Sequence, residues 1–150
     1  LGLLSDGIPW LFNTSTAMWS VIVVTAWKYL PFATMIILAG LQSISPELHE
    51  AAVVDGASDW ERFRYITLPG IRTVNSIALI LLTIWIFKLF TIVYVLTAGG
   101  PGNATMILSV LTYEEAFTYY QIGMGSALAV MVLLISLGLV TVYMKLLKVR

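Results

Sequence analysis

The sequence predicts an all-α membrane protein: a polytopic helix bundle with three transmembrane helices and a helical cytoplasmic loop between the first two. Apolar residues make up 59% and charged residues 11% of the chain, whereas soluble domains have roughly 45–50% and roughly 25%. Three segments reach the roughly 20 mostly apolar residues that a membrane-spanning helix needs. The alternating pattern of barrel strands is absent, so helices are expected to satisfy the backbone within lipid.

Composition also excludes several functions. The formal net charge is zero, so the chain lacks the basic face of a nucleic-acid-binding protein, and no nucleic acid is expected as a partner. Because there is no cysteine and only one histidine, His49, thiolate and histidine-rich metal sites are excluded. No nucleophile–base set or phosphate loop is visible, and we expect no enzyme. The chain opens with Leu1 and has no leader, which we interpret as part of a larger protein.

The predicted spans cover about residues 17–41, 74–98 and 124–147. Lys28 lies well inside the first span and Lys88 well inside the second. A charge at that depth is costly and usually faces a cavity or a partner. Two interpretations stay open for these lysines: they line a translocation path, or they pair with a group on another helix.

Basic residues outside the spans set the predicted orientation. They occur in or beside the first connector, residues 42–72, and at the C-terminus, whereas residues 1–16 and the second connector, 99–122, have none. Since cytoplasmic loops are enriched in lysine and arginine, residues 42–72 and the C-terminus are predicted to be cytoplasmic. The six residues are Arg62, Arg64, Arg72, Lys145, Lys148 and Arg150.

The first connector carries clear helix signals. Pro46 suits the first position of a short helix, and Gly56 suits a left-handed cap at its end. Ser58 and Glu61 have the spacing of a capping box that begins a second short helix. Pro69 is expected to close this segment before the next span. The sequence therefore predicts two short helices joined at a glycine.

The second connector begins with a cluster of helix breakers at residues 97–103, which predicts a turn or a re-entrant bend. Residues 106–120 combine apolar and aromatic side chains with two glutamates, and we expect a helix at the membrane interface or on the outer mouth. The third span then begins with small residues that favour close helix packing.

The first connector also carries a family pattern. Glu50-Ala51-Ala52, three residues, Gly56, nine residues and then residues 66–69 resemble the EAA loop of binding-protein-dependent ABC importer permeases. Residues 27–32 and 95–103 are similar to the sugar-permease branch of that family, related to the larger membrane subunit of the maltose transporter. The resemblance covers nearly the whole chain and corresponds to the C-terminal half of such a permease. We call residues 42–72 the EAA loop.

The resemblance implies a multi-pass subunit of the cell (inner) membrane whose EAA loop docks on a cytoplasmic ATPase. It implies as partners a homodimeric ATPase, a second permease subunit, an extracytoplasmic solute-binding protein, the lipid bilayer and a sugar substrate. ATP and magnesium would bind the ATPase, so no cofactor is expected in this chain. The residues that the resemblance assigns to ATPase coupling are Glu50, Ala51, Ala52, Asp55, Gly56, Ile66, Leu68 and Pro69.

The chemistry of the EAA loop agrees with such a contact. Ala51 and Ala52 are small enough to let a partner approach the helix backbone, and Glu50 can accept a charge-assisted hydrogen bond. The alternative is a solvated amphipathic loop without a partner, in a membrane scaffold that transports nothing.

The second span contains a candidate substrate path. Trp85, Lys88, Thr91 and Tyr94 follow helical spacing and would form one stripe on a continuous helix. An aromatic ring beside hydrogen-bonding groups suits a sugar, although such a stripe also suits helix packing. An anionic cargo such as glycerol 3-phosphate is a further alternative if Lys88 and Lys28 face the path.

Overall fold

A computed structural model of the chain describes the backbone of residues 9–147 and the side chains of residues 9–145. Lys148 and Arg150, which enter the topology prediction, lie outside the described residues. Within the described residues the secondary structure is helical and contains no strand, which confirms the all-α fold class. The helices are α1 Thr14–Gln42, α2 Pro46–Val54, α3 Asp59–Arg62, α4 Leu68–Gly70, α5 Arg72–Phe87, α6 Thr91–Thr97, α7 Leu108–Tyr113 and α8 Ile122–Leu147, with π-helical turns at Phe63–Thr67 and Glu114–Thr118.

Two helices in the described part of the chain are long and apolar enough to cross a membrane. They are α1, with 29 residues, and α8, with 26 residues. Helix α1 agrees with the first predicted span, and α8 agrees with the third. The helical run Asp59–Gly70 followed by α5 passes the same test only as a bent pair, with an angle of 60° between its parts.

The second predicted span is not one continuous helix, and this part of the prediction is wrong. Helix α5 ends at Phe87, and α6 begins at Thr91 after a break at residues 88–90. Phe90 has φ −116° and ψ −59°, outside regular helix geometry. No proline or glycine lies in the break, and a side chain from the outer connector bonds to its backbone, as described below.

Pro69 lies at the end of the helical run that precedes the second span. The chain stays helical from Asp59 to Gly70 because the π-helical turn shifts the bonding register. Leu68 donates its N–H to the carbonyl of Phe63, five residues back, and Ile71 resumes the four-residue pattern by donating to Thr67. The shifted register accommodates a proline, which has no N–H to donate.

The chain contains two compact units. Within the described residues, the outer-connector unit comprises residues 9–28 and Trp85–Gly138, and its buried side chains include Val93, Thr105 and Val110. The EAA-loop unit comprises Tyr29–Ile84 and residues 139–147, and its buried side chains include Ile71, Ser76 and Ala78. Both cores are small because most large apolar side chains on the long helices are exposed, as expected where lipid or other helices cover them.

The breaker cluster forms a tight turn, as predicted. The Thr105 side chain is fully buried, its hydroxyl donates to the carbonyl of Gly100 at 2.8 Å, and it shares a 2.6 Å hydrogen bond with the Thr97 hydroxyl. Gly99 has φ +84°, and a Cβ there would lie 2.6 Å from Met106 Cε. Glycine is therefore favoured at this position by its backbone conformation, and a larger residue would also displace the end of the Met106 side chain.

Candidate functional site

Helix α2 carries the first part of the EAA pattern on an exposed surface. Glu50 and Ala51 are exposed, Ala52 is half-buried, and none of the nine residues of α2 is buried. The small side chains of Ala51 and Ala52 leave the α2 backbone accessible to a partner. Asp55 follows the helix as its C-cap and is also exposed.

A Schellman motif ends α2 at Gly56. The N–H of Ala57 donates to Ala52 at 2.9 Å, and the N–H of Gly56 donates to Val53 at 3.0 Å. Gly56 has φ +76°, and a Cβ there would meet nothing within 4 Å. The predicted left-handed cap is therefore confirmed, and the constraint on Gly56 is conformational, not steric.

The predicted capping box between Ser58 and Glu61 is also confirmed. The Glu61 N–H donates to the Ser58 hydroxyl at 3.3 Å, and Glu61 Oε2 accepts from the Ser58 backbone N–H at 2.8 Å. The Ser58 hydroxyl also donates to Oε2, at 2.7 Å. These hydrogen bonds, first from the hydroxyl and then from the backbone, hold the pKa of the Glu61 carboxyl below its ordinary value. Asp59 forms an ion pair with Arg62 in the same turn.

The last coupling residues lie on the continuation of this helix. Ile66 belongs to the π-helical turn and is half-buried, whereas Leu68 and Pro69 belong to α4 and are exposed. The structure therefore places every predicted coupling residue in one unit, on α2, at its C-terminal cap, and on the helical run Asp59–Gly70.

Two close contacts join the ends of the EAA loop, and sequence reasoning missed both. A Cβ on Gly70 would lie 2.9 Å from Ile44 Cδ1, and a Cβ on Gly40 would lie 3.0 Å from Val74 Cγ1. These four residues, which we call the loop base, hold the end of α1 against α4 and the start of α5. The sequence feature that could have indicated these contacts is a glycine near each end of the connector.

The EAA loop also exposes large apolar side chains among acids. Val54 is 86% exposed and Trp60 is 70% exposed, and the Trp60 and Phe63 rings lie 5.7 Å apart. An exposed apolar surface of this kind usually marks an interaction site. Its members are Leu48, Val53, Val54, Trp60, Phe63 and Tyr65, and the exposed acids beside them are Glu47, Glu50, Asp55, Asp59 and Glu61.

The candidate substrate path is not one helical stripe, because the helix breaks in its middle. Trp85 lies near the end of α5, Lys88 lies in the break, and Thr91 and Tyr94 lie on α6; all four are exposed. The Ser109 hydroxyl donates to the Leu89 carbonyl at 2.5 Å and thereby satisfies a backbone group at the break. This contact joins residues 20 positions apart, so local sequence did not reveal it.

Tyr94 instead belongs to an aromatic cluster with Phe90, Tyr113 and Phe117. The Tyr94 ring centroid lies 4.9 Å from Phe90 and 5.0 Å from Tyr113, and Tyr113 lies 5.2 Å from Phe117. Such distances are typical of stabilising aromatic pairs. Sequence reasoning missed Phe90, Tyr113 and Phe117, although Tyr113 and Phe117 have the four-residue spacing that brings helical side chains together.

A groove of about 420 Å³ lies beside the aromatic cluster. Tyr113 and Phe117 line it together with the hydroxyl-bearing residues Ser109, Thr112 and Ser126. Its floor is tight, since a Cβ on Gly125 would lie 2.7 Å from the Ala116 Cβ. Apolar rings combined with a few hydroxyl groups are typical of a small-molecule site.

Comparison with known proteins decides the family. Residues 3–148 match the family described as the binding-protein-dependent transport system inner membrane component. The chain belongs to this family. The resemblance based on the EAA pattern is therefore confirmed, whereas the roles of individual residues in this permease chain stay predictions.

Relatives and solved structures agree with the family. The trehalose/maltose transport system permease protein MalF of Thermococcus litoralis is 44% identical over 92% of this chain and 46% of its own length. The sulfoquinovosyl glycerol transport system permease protein SmoG of Agrobacterium fabrum is 37% identical over 97% and 47%. This permease chain thus spans about half the length of these curated relatives.

A crystal structure of a bacterial ABC transporter involved in import of the acidic polysaccharide alginate has the same fold. It superimposes with a TM-score of 0.85 and is 23% identical, covering 96% of this chain and 51% of that one. The match shows the fold alone, and it agrees with the all-α assignment.

Proposed function

We propose that this chain is part of a permease subunit of an ATP-driven importer that carries a mono- or oligosaccharide across the cytoplasmic membrane. Its EAA loop couples the spans to a homodimeric ATPase, which binds ATP and magnesium. A second permease subunit and an extracytoplasmic binding protein complete the assembly. Membership of the family and the cargoes named for MalF and SmoG support this proposal.

The observation that carries the coupling proposal is the exposed surface of the EAA loop. Exposed apolar side chains such as Val54 and Trp60 lie near acidic residues on this surface. A Schellman motif caps the end of α2, and a capping box caps the start of α3. A soluble partner that covers this surface gains apolar burial, and its basic groups can pair with Glu50. The ATPase is the soluble component of the proposed assembly and is therefore the expected partner.

A rigid loop can transmit ATPase movement to the membrane spans. The loop base joins the two ends of the EAA loop by close contacts. This arrangement supports a loop that moves as one body. Helix α5 begins at Arg72, the last residue of the loop, and therefore receives the movement through the chain itself. Reorientation of the spans then releases the substrate inward.

A charge reversal in α2 tests this coupling in the assembled transporter. Glu50→Lys is expected to leave the subunit in the membrane but to abolish both ATPase co-purification and sugar uptake into vesicles. Glu115→Lys makes the same charge change on the outer connector and is expected to retain the ATPase. Normal uptake and ATPase retention in Glu50→Lys would reject the proposed coupling role.

The aromatic cluster and its groove support the sugar as cargo. Sugar rings have apolar C–H faces that stack on aromatic side chains, and their hydroxyls bond to groups such as those of Ser109 and Thr112. A panel of sugars titrated against the cognate binding protein identifies the cargo, since that component delivers it. The absence of any sugar ligand in this panel would reject the sugar assignment.

An anionic cargo is a second candidate, favoured by the exposed Lys88 in the helix break. The polysaccharide named for the alginate transporter is acidic, which also supports this candidate. Lys88→Met is expected to reduce uptake of an anion, such as glycerol 3-phosphate, far more than uptake of a neutral sugar. Thr91→Val, which removes a neighbouring polar group without changing the charge, is the matched control. Equal uptake losses for both cargoes would reject the anionic alternative.

A further inference from the structure

A second groove lies in the EAA-loop unit, on the inner side of the helix bend. It measures about 350 Å³ and runs along one face of α5, where four lining residues follow helical spacing. Residues of the preceding helical run form its other wall. The lining residues are Arg72, Asn75, Ser76 and Leu79 from α5, and Arg64, Leu68 and Pro69 from the preceding run.

The groove has an excess of positive charge. Arg64 and Arg72 both line it, and none of its seven lining residues is acidic. The ion pair that the structure places in residues 9–147 joins Arg62 to Asp59, and it involves neither groove arginine. Glu61 is already bonded to Ser58. Two guanidinium groups therefore share one groove without a carboxylate beside them.

The position of Arg72 adds to this excess. It is the first residue of α5, where the helix dipole is positive, and the first turn of α5 contains no acid. A cation at this end raises the electrostatic free energy of the helix, and a bound anion lowers it. Helix polarity and side-chain charge thus favour the same kind of ligand.

The groove changes from polar to apolar along its length. Arg72 and Asn75 lie at the start of α5, Leu79 follows two turns later, and residues 77–82 are all apolar. Leu79, which lines the groove, is 45% exposed, so apolar surface lies next to the charged end. A free inorganic anion would use only the charged end, whereas a phospholipid has a phosphate for the arginines and an acyl chain for Leu79.

We propose that this groove binds the headgroup phosphate of an anionic phospholipid from the cytoplasmic leaflet. Arg64 and Arg72 donate charge-assisted hydrogen bonds to the phosphate oxygens, and Leu79 contacts the start of an acyl chain. Because Arg64 precedes the 60° bend and Arg72 follows it, one phosphate links both sides of the bend. The site requires neither substrate nor ATPase and does not depend on the proposed transport function.

Lipid retention by the assembled membrane protein tests the proposal. The protein is reconstituted with phosphatidylcholine and phosphatidylglycerol, re-extracted, and analysed for bound lipid by native mass spectrometry. We expect selective retention of phosphatidylglycerol, weakened about fivefold by Arg64→Gln or by Arg72→Gln, in accordance with about 1 kcal/mol per basic residue near a membrane surface. Arg72→Lys keeps the charge and is expected to restore much of the selectivity.

Two comparisons distinguish this site from other sources of retention. Lys145→Gln removes a cytoplasmic-side charge outside the groove, and it should leave retention unchanged. Leu79→Ser should weaken phosphatidylglycerol binding, and excess inorganic phosphate should not displace the lipid. Equal loss in Lys145→Gln would indicate non-specific surface attraction and overturn the proposal. Displacement by inorganic phosphate, or unchanged retention in the double variant of Arg64 and Arg72, would also overturn it.

Discussion

Gly70 lies directly against Ile44, so close that a Cβ on Gly70 would be 2.9 Å from the Ile44 Cδ1 atom. The contact brings the residues before α2 onto the end of the helical run that completes the EAA loop. Together with Gly40 and Val74 it closes the loop base. The two ends of the loop are therefore joined by two close contacts, each made at a glycine.

Gly70→Val is expected to destabilise the assembled protein by overpacking, by about 1–3 kcal/mol. The added side chain must displace Ile44 or separate the loop base. Thermal unfolding of the assembled transporter measures the effect. Ile44→Ala in the same chain should recover part of the loss, and Gly138→Val, where a Cβ meets nothing within 4 Å, is the control. Equal effects at Gly70 and Gly138 would contradict the steric role of Gly70.

Gly56→Ala is expected to unwind the end of α2 without creating a clash. At φ +76° an alanine has a conformational cost of about 1–2 kcal/mol, whereas asparagine tolerates this region better. Hydrogen exchange of the Gly56 and Ala57 amides should accelerate in Gly56→Ala, and the asparagine variant should lie between it and the wild type. If alanine leaves exchange unchanged, the Schellman motif does not determine the end of α2.

The start of α3 should lose stability at acidic pH. The pKa of Glu61 is lower in the folded loop than its ordinary value of 4.5, so its carboxylate stabilises the capping box fully above that value. This contribution is lost as pH falls through the lowered pKa, because protonation removes the acceptor. Amide protection of residues 59–62, measured across this acidic range, should decrease.

Ser58→Ala provides the control for this titration, because it removes the hydroxyl that bonds to Glu61. Protection of the Glu61 amide should fall about fivefold at neutral pH, and its acid dependence should become weaker. An undiminished acid dependence in Ser58→Ala would assign the titration to another group.

Ser109→Ala is expected to alter the helix break at residues 88–90. The substitution leaves the Leu89 carbonyl without its side-chain donor, at a cost of about 1–3 kcal/mol for an unsatisfied buried group. Faster hydrogen exchange at the start of α6 measures this loss. Thr112→Val changes a neighbouring hydroxyl that bonds within its own helix, to Leu108, and should leave the break unaffected. A similar change at α6 in both variants would argue against a specific Ser109 contact.

Short-range interactions explain which predictions are confirmed. The capping box spans residues 58–61 and the Schellman motif spans residues 52–57, so neighbouring residues contain all the groups that these structures need. The long apolar segments predict α1 and α8 for a similar reason, because helix formation within lipid depends on composition along one segment. Local sequence patterns also indicated the resemblance to the permease family.

Long-range contacts explain where the structure differs from the sequence predictions. The second span appeared continuous because residues 88–90 contain no helix breaker, whereas Ser109 supplies a hydroxyl at Leu89 from the outer connector. The stripe from Trp85 to Tyr94 is therefore divided, and Tyr94 joins Tyr113 in a cluster that helical spacing did not predict.

The sequence by itself determined that this chain is helical, that it is apolar enough for a membrane, and that its first connector forms two capped helices of the permease type. These properties depend on residue composition and on hydrogen bonds between near neighbours. Only the tertiary structure decided where the second span breaks, which rings surround the outer groove, and how Gly70 and Ile44 close the loop base. Those features depend on atoms brought together from distant positions, whose distances are set by packing and not by spacing along the chain.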